Sequence, residues 1–134
     1  MREIDVALVT WLAADATLMA EATGVFRRGG VPTGQAYPYI EFHPYAPAGD
    51  DYTLGGWASI SSLYLVQAID RSASAERAQR LAERVHALLT DAALTVTGYA
   101  LLVCRRRRAV ELVEQVNDTA YQYVGGIFEI EVSK

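Results

Sequence analysis

Ile4, Leu8, Trp11 and Leu12 recur at the spacing of one helical face, and Leu18, Met19 and Ala22 resume the stripe past a break at Asp15. The pattern predicts a first helix with one apolar side. Asp15 is a good N-cap, so a second short helix restarts over 16–22. TGVFRRGGVPTGQAYP follows, with four glycines and two prolines, and reads as an irregular connection. YPYIEFHPY is a short strand bounded by Pro38 and Pro44, where proline fits an edge or a strand end. APAGDDYTLGG has the composition of a flexible loop, and SSLYLVQAID is a near-continuous apolar run suited to a central strand.

The clearest periodicity lies in SASAERAQRLAERVHALLTD. Ala78, Leu81, Ala82, Val85, Leu88 and Leu89 form one face and Glu76, Arg77, Arg80, Glu83 and Arg84 the other. Ser72 or Ser74 caps its start, and Glu76 four residues before Arg80 adds roughly 0.3 kcal/mol of surface support. Such a helix needs an apolar seat. TGYALLVCRRRRAVELVEQV and AYQYVGGIFEIEV flank the turn signal Asn117-Asp118, so they predict a long hairpin. Val124, Phe128, Ile130 and Val132 alternate onto one face of it and supply that seat. The expected fold is α+β: a four-stranded, mostly antiparallel or mixed sheet, two main helices packed on one face, and an extended hairpin arm.

The length of 134 residues fits one domain spanning 1–134, with room for a real core. Half the residues are hydrophobic, which favours a folded chain over a disordered one. A net charge of −4 argues against a protein that coats nucleic acid indiscriminately, while leaving room for a local basic patch. Cys104 is the only cysteine, so no intrachain disulfide forms and a reducing compartment is the natural reading. The apolar N-terminal stretch is broken by acidic residues and is too short to cross a bilayer, so we expect cytoplasmic production and no membrane partner.

Four consecutive arginines, Arg105, Arg106, Arg107 and Arg108, interrupt a strand pattern. Alternation points neighbours to opposite faces, and neither pair is buried unpaired, because stripping water from a guanidinium costs several kcal/mol. A symmetric turn at Asn117-Asp118 sets Arg106 opposite Glu129, with Glu131 in diagonal reach. It also sets Arg105 opposite Ile130, an awkward pairing that a bulge at Gly125-Gly126 or an arm projecting beyond the helix relieves. The run reads first as a solvated or protein-contacting arm and second as a grip on nucleic-acid phosphate. Eight tyrosines divide between ordinary strand composition and interface use. The candidate interface or DNA-channel residues are therefore these four arginines, Tyr121, Tyr123, Arg27, Arg28, Tyr52 and Trp57. Glu83-x-x-His86 has the spacing of a helical metal pair but lacks the second pair that a di-metal bundle uses. Cys104 in mid-strand reads as a small core residue. The reading is therefore non-enzymatic, with no metal, no cofactor and no catalytic residue.

Three stretches carry a family resemblance: VPTGQAYPYIEF after a short helix, LYLVQAIDRSASAERAQRLAERVHALL as a strand running into an alanine-rich helix, and LTVTGYALL with the closing DTAYQYVGGIFEIEV. In these the chain resembles the tail-terminator, or tail-completion, family of long-tailed phages, prophages and gene transfer agents. The resemblance implies a virion structural protein that forms a ring with copies of itself, usually a hexamer, at the head-proximal end of the tail. It implies that the ring ends tail-tube polymerisation, touches the tail tube protein, and joins the tail to the connector or stopper protein of the head. DNA would pass through the lumen without sequence specificity. The arginine run departs from the family's usual penultimate strand. The alternative reading is a small α+β nucleic-acid-binding domain that uses the 105–108 patch.

Overall fold

The computed structural model describes the backbone at residues 1–53 and 56–134 and the side chains at 1–45 and 59–134. Its order is α1 (Arg2–Ala13), α2 (Ala16–Met19), β1 (Val25–Arg27), β2 (Tyr39–Thr53), β3 (Gly56–Arg71), α3 (Glu76–Leu89), β4 (Ala100–Val116) and β5 (Thr119–Ser133). The strands form one mixed sheet in the order β1-β2-β3-β5-β4, with β1 parallel to β2 and every other pairing antiparallel.

The core lies between one face of this sheet and the three helices. Ile40, Phe42, Tyr64, Val66, Val124, Phe128, Ile130 and Val132 alternate onto that face and are buried. Ala78, Leu81, Val85 and Leu89 turn the predicted stripe of α3 down onto β5 and β3. Ile4, Leu8 and Leu12 do the same for α1. The Trp11 indole N–H donates to the Leu88 carbonyl at 2.7 Å, tying α1 to the end of α3.

Asp15 does what its position promised. It accepts from the Leu18 amide at 2.8 Å as the cap of α2, and the Arg84 guanidinium donates to both of its oxygens at 2.8 and 2.6 Å. Arg84 above all, with the Leu18 amide adding to it, holds the Asp15 carboxyl below its ordinary value. Because the folded value is the lower one, its stabilisation is complete above the unfolded carboxylate range and fades as pH falls through the folded value. Asp15→Ala should cost about 1 kcal/mol at neutral pH. The gap between variant and wild type in urea melts should close as pH drops from about 5 to about 2. A gap that is constant with pH would contradict the pairing.

Three expectations are corrected. The sheet has five strands, because Val25–Arg27, read as irregular chain, pairs with Ile40, Glu41 and Phe42. Of segment 46–56, read as a loop, residues 46–53 carry β2 on to Thr53 and Gly56 opens β3, while 54 and 55 lie outside the described residues. Register shifts between Pro44 and Ala46 and between Ala46 and Gly49 take up the residues that break regular pairing. The β4–β5 hairpin does not project as an arm: β3 pairs with β5 without interruption from Arg71–Tyr121 to Ile60–Val132, so β5 is a central strand and β4 the sheet's edge. Arg80 feels the Glu76 charge four residues back, as its spacing implied, and also holds Glu21 with contacts of 2.9 and 2.7 Å.

Candidate interaction surface

Asn117 takes φ 56°, the left-handed conformation a two-residue turn favours, and the hairpin pairs symmetrically about it as far as Arg108–Ile127. There the register slips. Arg107 is a bulge, so Arg106 pairs with Phe128 and Arg105 with Glu129. This reverses the expected assignment of Arg106 to Glu129, and the extra residue lies on β4 rather than at Gly125-Gly126. The reason is burial: the symmetric register would set Arg105 opposite the buried Ile130, and the bulge puts the small, buried Cys104 there instead. With the bulge, Arg105 and Arg107 both reach Glu129, at 3.3 and 2.9 Å. Glu131 accepts from the Ser59 hydroxyl at 2.7 Å instead. Such exposed pairs contribute little to stability, so their weight lies in where they put charge.

The bulge sorts the run between the two faces of the sheet. Arg105, Arg107 and Arg108 lie on the face without helices, where Arg108 donates to the Tyr45 hydroxyl at 3.5 Å. Arg106 lies on the helix side and crosses Gly126, where a Cβ would come within 2.7 Å of its Cδ. Burial first, and the Arg106 charge second, push the nearby His86 imidazole below its ordinary value. No carboxylate pairs with Arg106 or Arg108 among the described residues.

Tyr121 and Tyr123 stand on the open face near the turn, several residues along β5 from the arginines. They belong with Tyr37 and Tyr39, which the sequence did not single out. The Tyr37 ring lies 5.4 Å from Tyr39 and 5.8 Å from Tyr121, and the Arg71 guanidinium sits 5.4 Å over it. Burial pushes the Tyr39 phenol up to about 12. Burial, then Glu114, raises Tyr123, whose hydroxyl donates to Glu114 at 3.4 Å. Tyr37, Tyr39, Arg71 and Arg77 also line an open cavity of about 490 Å³ beside Pro32 and Gln35. Only the strand order brings these tyrosines together, which is why alternation alone could not find them.

Arg27 and Arg28 lie at the opposite edge of the sheet. Arg27 is 2.7 Å from Asp5 and Arg28 is 3.3 Å from Glu41, so both hold β1 in place. Tyr52 and Trp57 are register partners in the β2–β3 hairpin, and their side chains fall outside the described residues. The candidates thus divide among separate patches and do not converge. The Cys104 thiol is buried, donates to the Leu89 carbonyl at 3.2 Å, and is pushed up to about 11 by that burial. It has the setting of a core residue rather than a nucleophile. Among the described residues no three His, Cys, Asp or Glu side chains gather as metal ligands, and no helix is long and apolar enough to cross a membrane.

The sequence matches the family of the tail completion protein gp17 over residues 6–124. No curated protein matches it. Among solved structures, one chain of the virion of a native gene transfer agent particle is similar, with a TM-score of 0.80 and 22% identity over 96% of this chain and 93% of that one. At that identity the likeness is one of fold.

Proposed function

We propose that this chain, which belongs to the tail completion protein gp17 family, closes into a ring with copies of itself at the head-proximal end of a phage-type tail. The family makes it a structural protein of the virion tail. In our reading the ring is a hexamer that stops tube polymerisation, sits between the tail tube protein and the head connector or stopper protein, and lets DNA through without reading its sequence. The role is scaffolding, with no chemical step.

The observation that carries this reading is the edge strand β4, which presents its arginines and exposed apolar side chains with no strand beyond it. A closed ring needs two different complementary patches on each subunit, and a free edge is a ready one. The opposite side of the sheet, with Arg27 and Arg28 beside the β2–β3 hairpin, supplies candidates for the second. A surplus of positive charge on β4 suits an acidic neighbour or the phosphates of DNA in the lumen.

Replacing all four arginines, Arg105, Arg106, Arg107 and Arg108, with serine should leave the circular dichroism spectrum and the monomer fold intact, since exposed ion pairs contribute about 1 kcal/mol or less each. Assembly of rings on tube protein, scored by native mass, should fall by at least roughly tenfold, the factor that 1.4 kcal/mol represents. Normal particles from that variant would remove the arginines from the interface. Binding of DNA by the free chain that weakens steeply with salt would favour a phosphate-binding domain instead.

A further inference from the structure

β4 carries four of the six large apolar side chains most exposed among the described residues: Leu102 at 54%, Leu112 at 58%, Val113 at 54% and Val116 at 46%. Its charge is divided as well. Arg105, Arg106, Arg107 and Arg108 occupy one half, and Glu111 and Glu114 the other. Glu111 is met by the Gln79 side-chain amide and Glu114 by the Tyr123 hydroxyl, and no cation pairs with either among the described residues. Such a strand is complementary to itself when reversed.

We propose that β4 pairs antiparallel with β4 of a second copy about a two-fold axis at Val110, making one continuous sheet. In that register Arg108 faces the partner's Leu112 and Ala109 faces the partner's Glu111. The bulge at Arg107 then sets Arg106 against the partner's Val113 and Arg105 against the partner's Glu114. The faces agree throughout. Arg105 and Glu114 lie on the open face with their register mates Glu129 and Tyr121, and Arg106, Glu111 and Val113 on the helix side with Phe128, Val124 and Gln122. Arg106 also comes into diagonal reach of the partner's Glu111. Space is available, because a cavity of about 430 Å³ bordered by Gln79, Glu83, Arg106 and Ala109 separates α3 from this edge. A two-fold contact is complete at two copies and does not propagate. It therefore competes with the proposed ring for the same strand, and it covers an apolar edge in the free chain.

Sedimentation equilibrium of the full chain should show a monomer–dimer equilibrium. Arg105→Glu alone and Glu114→Arg alone should each weaken it by roughly tenfold or more, since both symmetry-related pairs turn repulsive together. An equal mixture of the two variants should restore the dimer, because each altered side chain then meets its opposite. Val110→Cys should oxidise to a covalent dimer and nothing larger, Cys104 being buried. A strictly monomeric chain, no rescue on mixing, or a larger assembly without the 110–110 cross-link overturns the pairing.

Discussion

Gly125→Ala should destabilise the protein by about 3 kcal/mol or more, a large share of what holds a domain of this size together. Gly125 sits on the central strand β5, directly opposite Gln67 of β3. A Cβ there would lie 2.1 Å from the Val66 carbonyl oxygen and 2.5 Å from the Gln67 Cα. Both are backbone atoms of a neighbouring strand and have no rotamer to change. The strands would have to separate, along β3 and β5 where the core is seated. Urea unfolding monitored by tryptophan fluorescence gives the number. A variant within about 1 kcal/mol of wild type would mean that the two backbones do not approach so closely.

The second large effect is expected at Arg77→Ala. Asp70 closes β3 with its side chain fully buried, and Arg77 in the first turns of α3 donates to both carboxylate oxygens at 3.0 and 2.7 Å. Removing the arginine leaves a carboxylate without water or a partner, which is far costlier than losing a surface pair. Since Arg77 itself is half exposed, some water follows, and the expected loss is about 2–3 kcal/mol. The melting temperature should fall by about 10 °C. Adding Asp70→Asn to Arg77→Ala should recover at least half of that loss, because an amide tolerates burial better than a charge. A single variant as stable as wild type, or a double variant less stable than the single, would contradict this account.

What the sequence disclosed follows the range of the forces involved. The break at Asp15, the stripe of α3, the alternation in β5 and the turn at Asn117 all act over a few residues, and each is where its pattern put it. β1 was invisible because three residues have no preference strong enough to declare a strand; only Ile40, Glu41 and Phe42 give it one. The β2–β3 hairpin was hidden because Pro44, Pro47 and Gly49 signal a loop, and bulges accommodate them instead. The four arginines were visible, but their sorting was not, since one extra residue at Arg107 exchanges which of them meets Glu129. Tyr37 reaches Tyr121, and Tyr39 falls in line with Tyr123 across Ile69, only through a strand order that no local pattern encodes.

The unbroken pairing of β3 with β5, from Ile60–Val132 to Arg71–Tyr121, also has a mechanical meaning. Interstrand bonds run across the strands, so a pull along their axis strains the whole ladder at once, whereas a pull across it opens the rungs one after another. If neighbouring proteins grip this subunit at opposite ends of β3 and β5, tension is carried in the strong direction, and the contacts give way before the fold does.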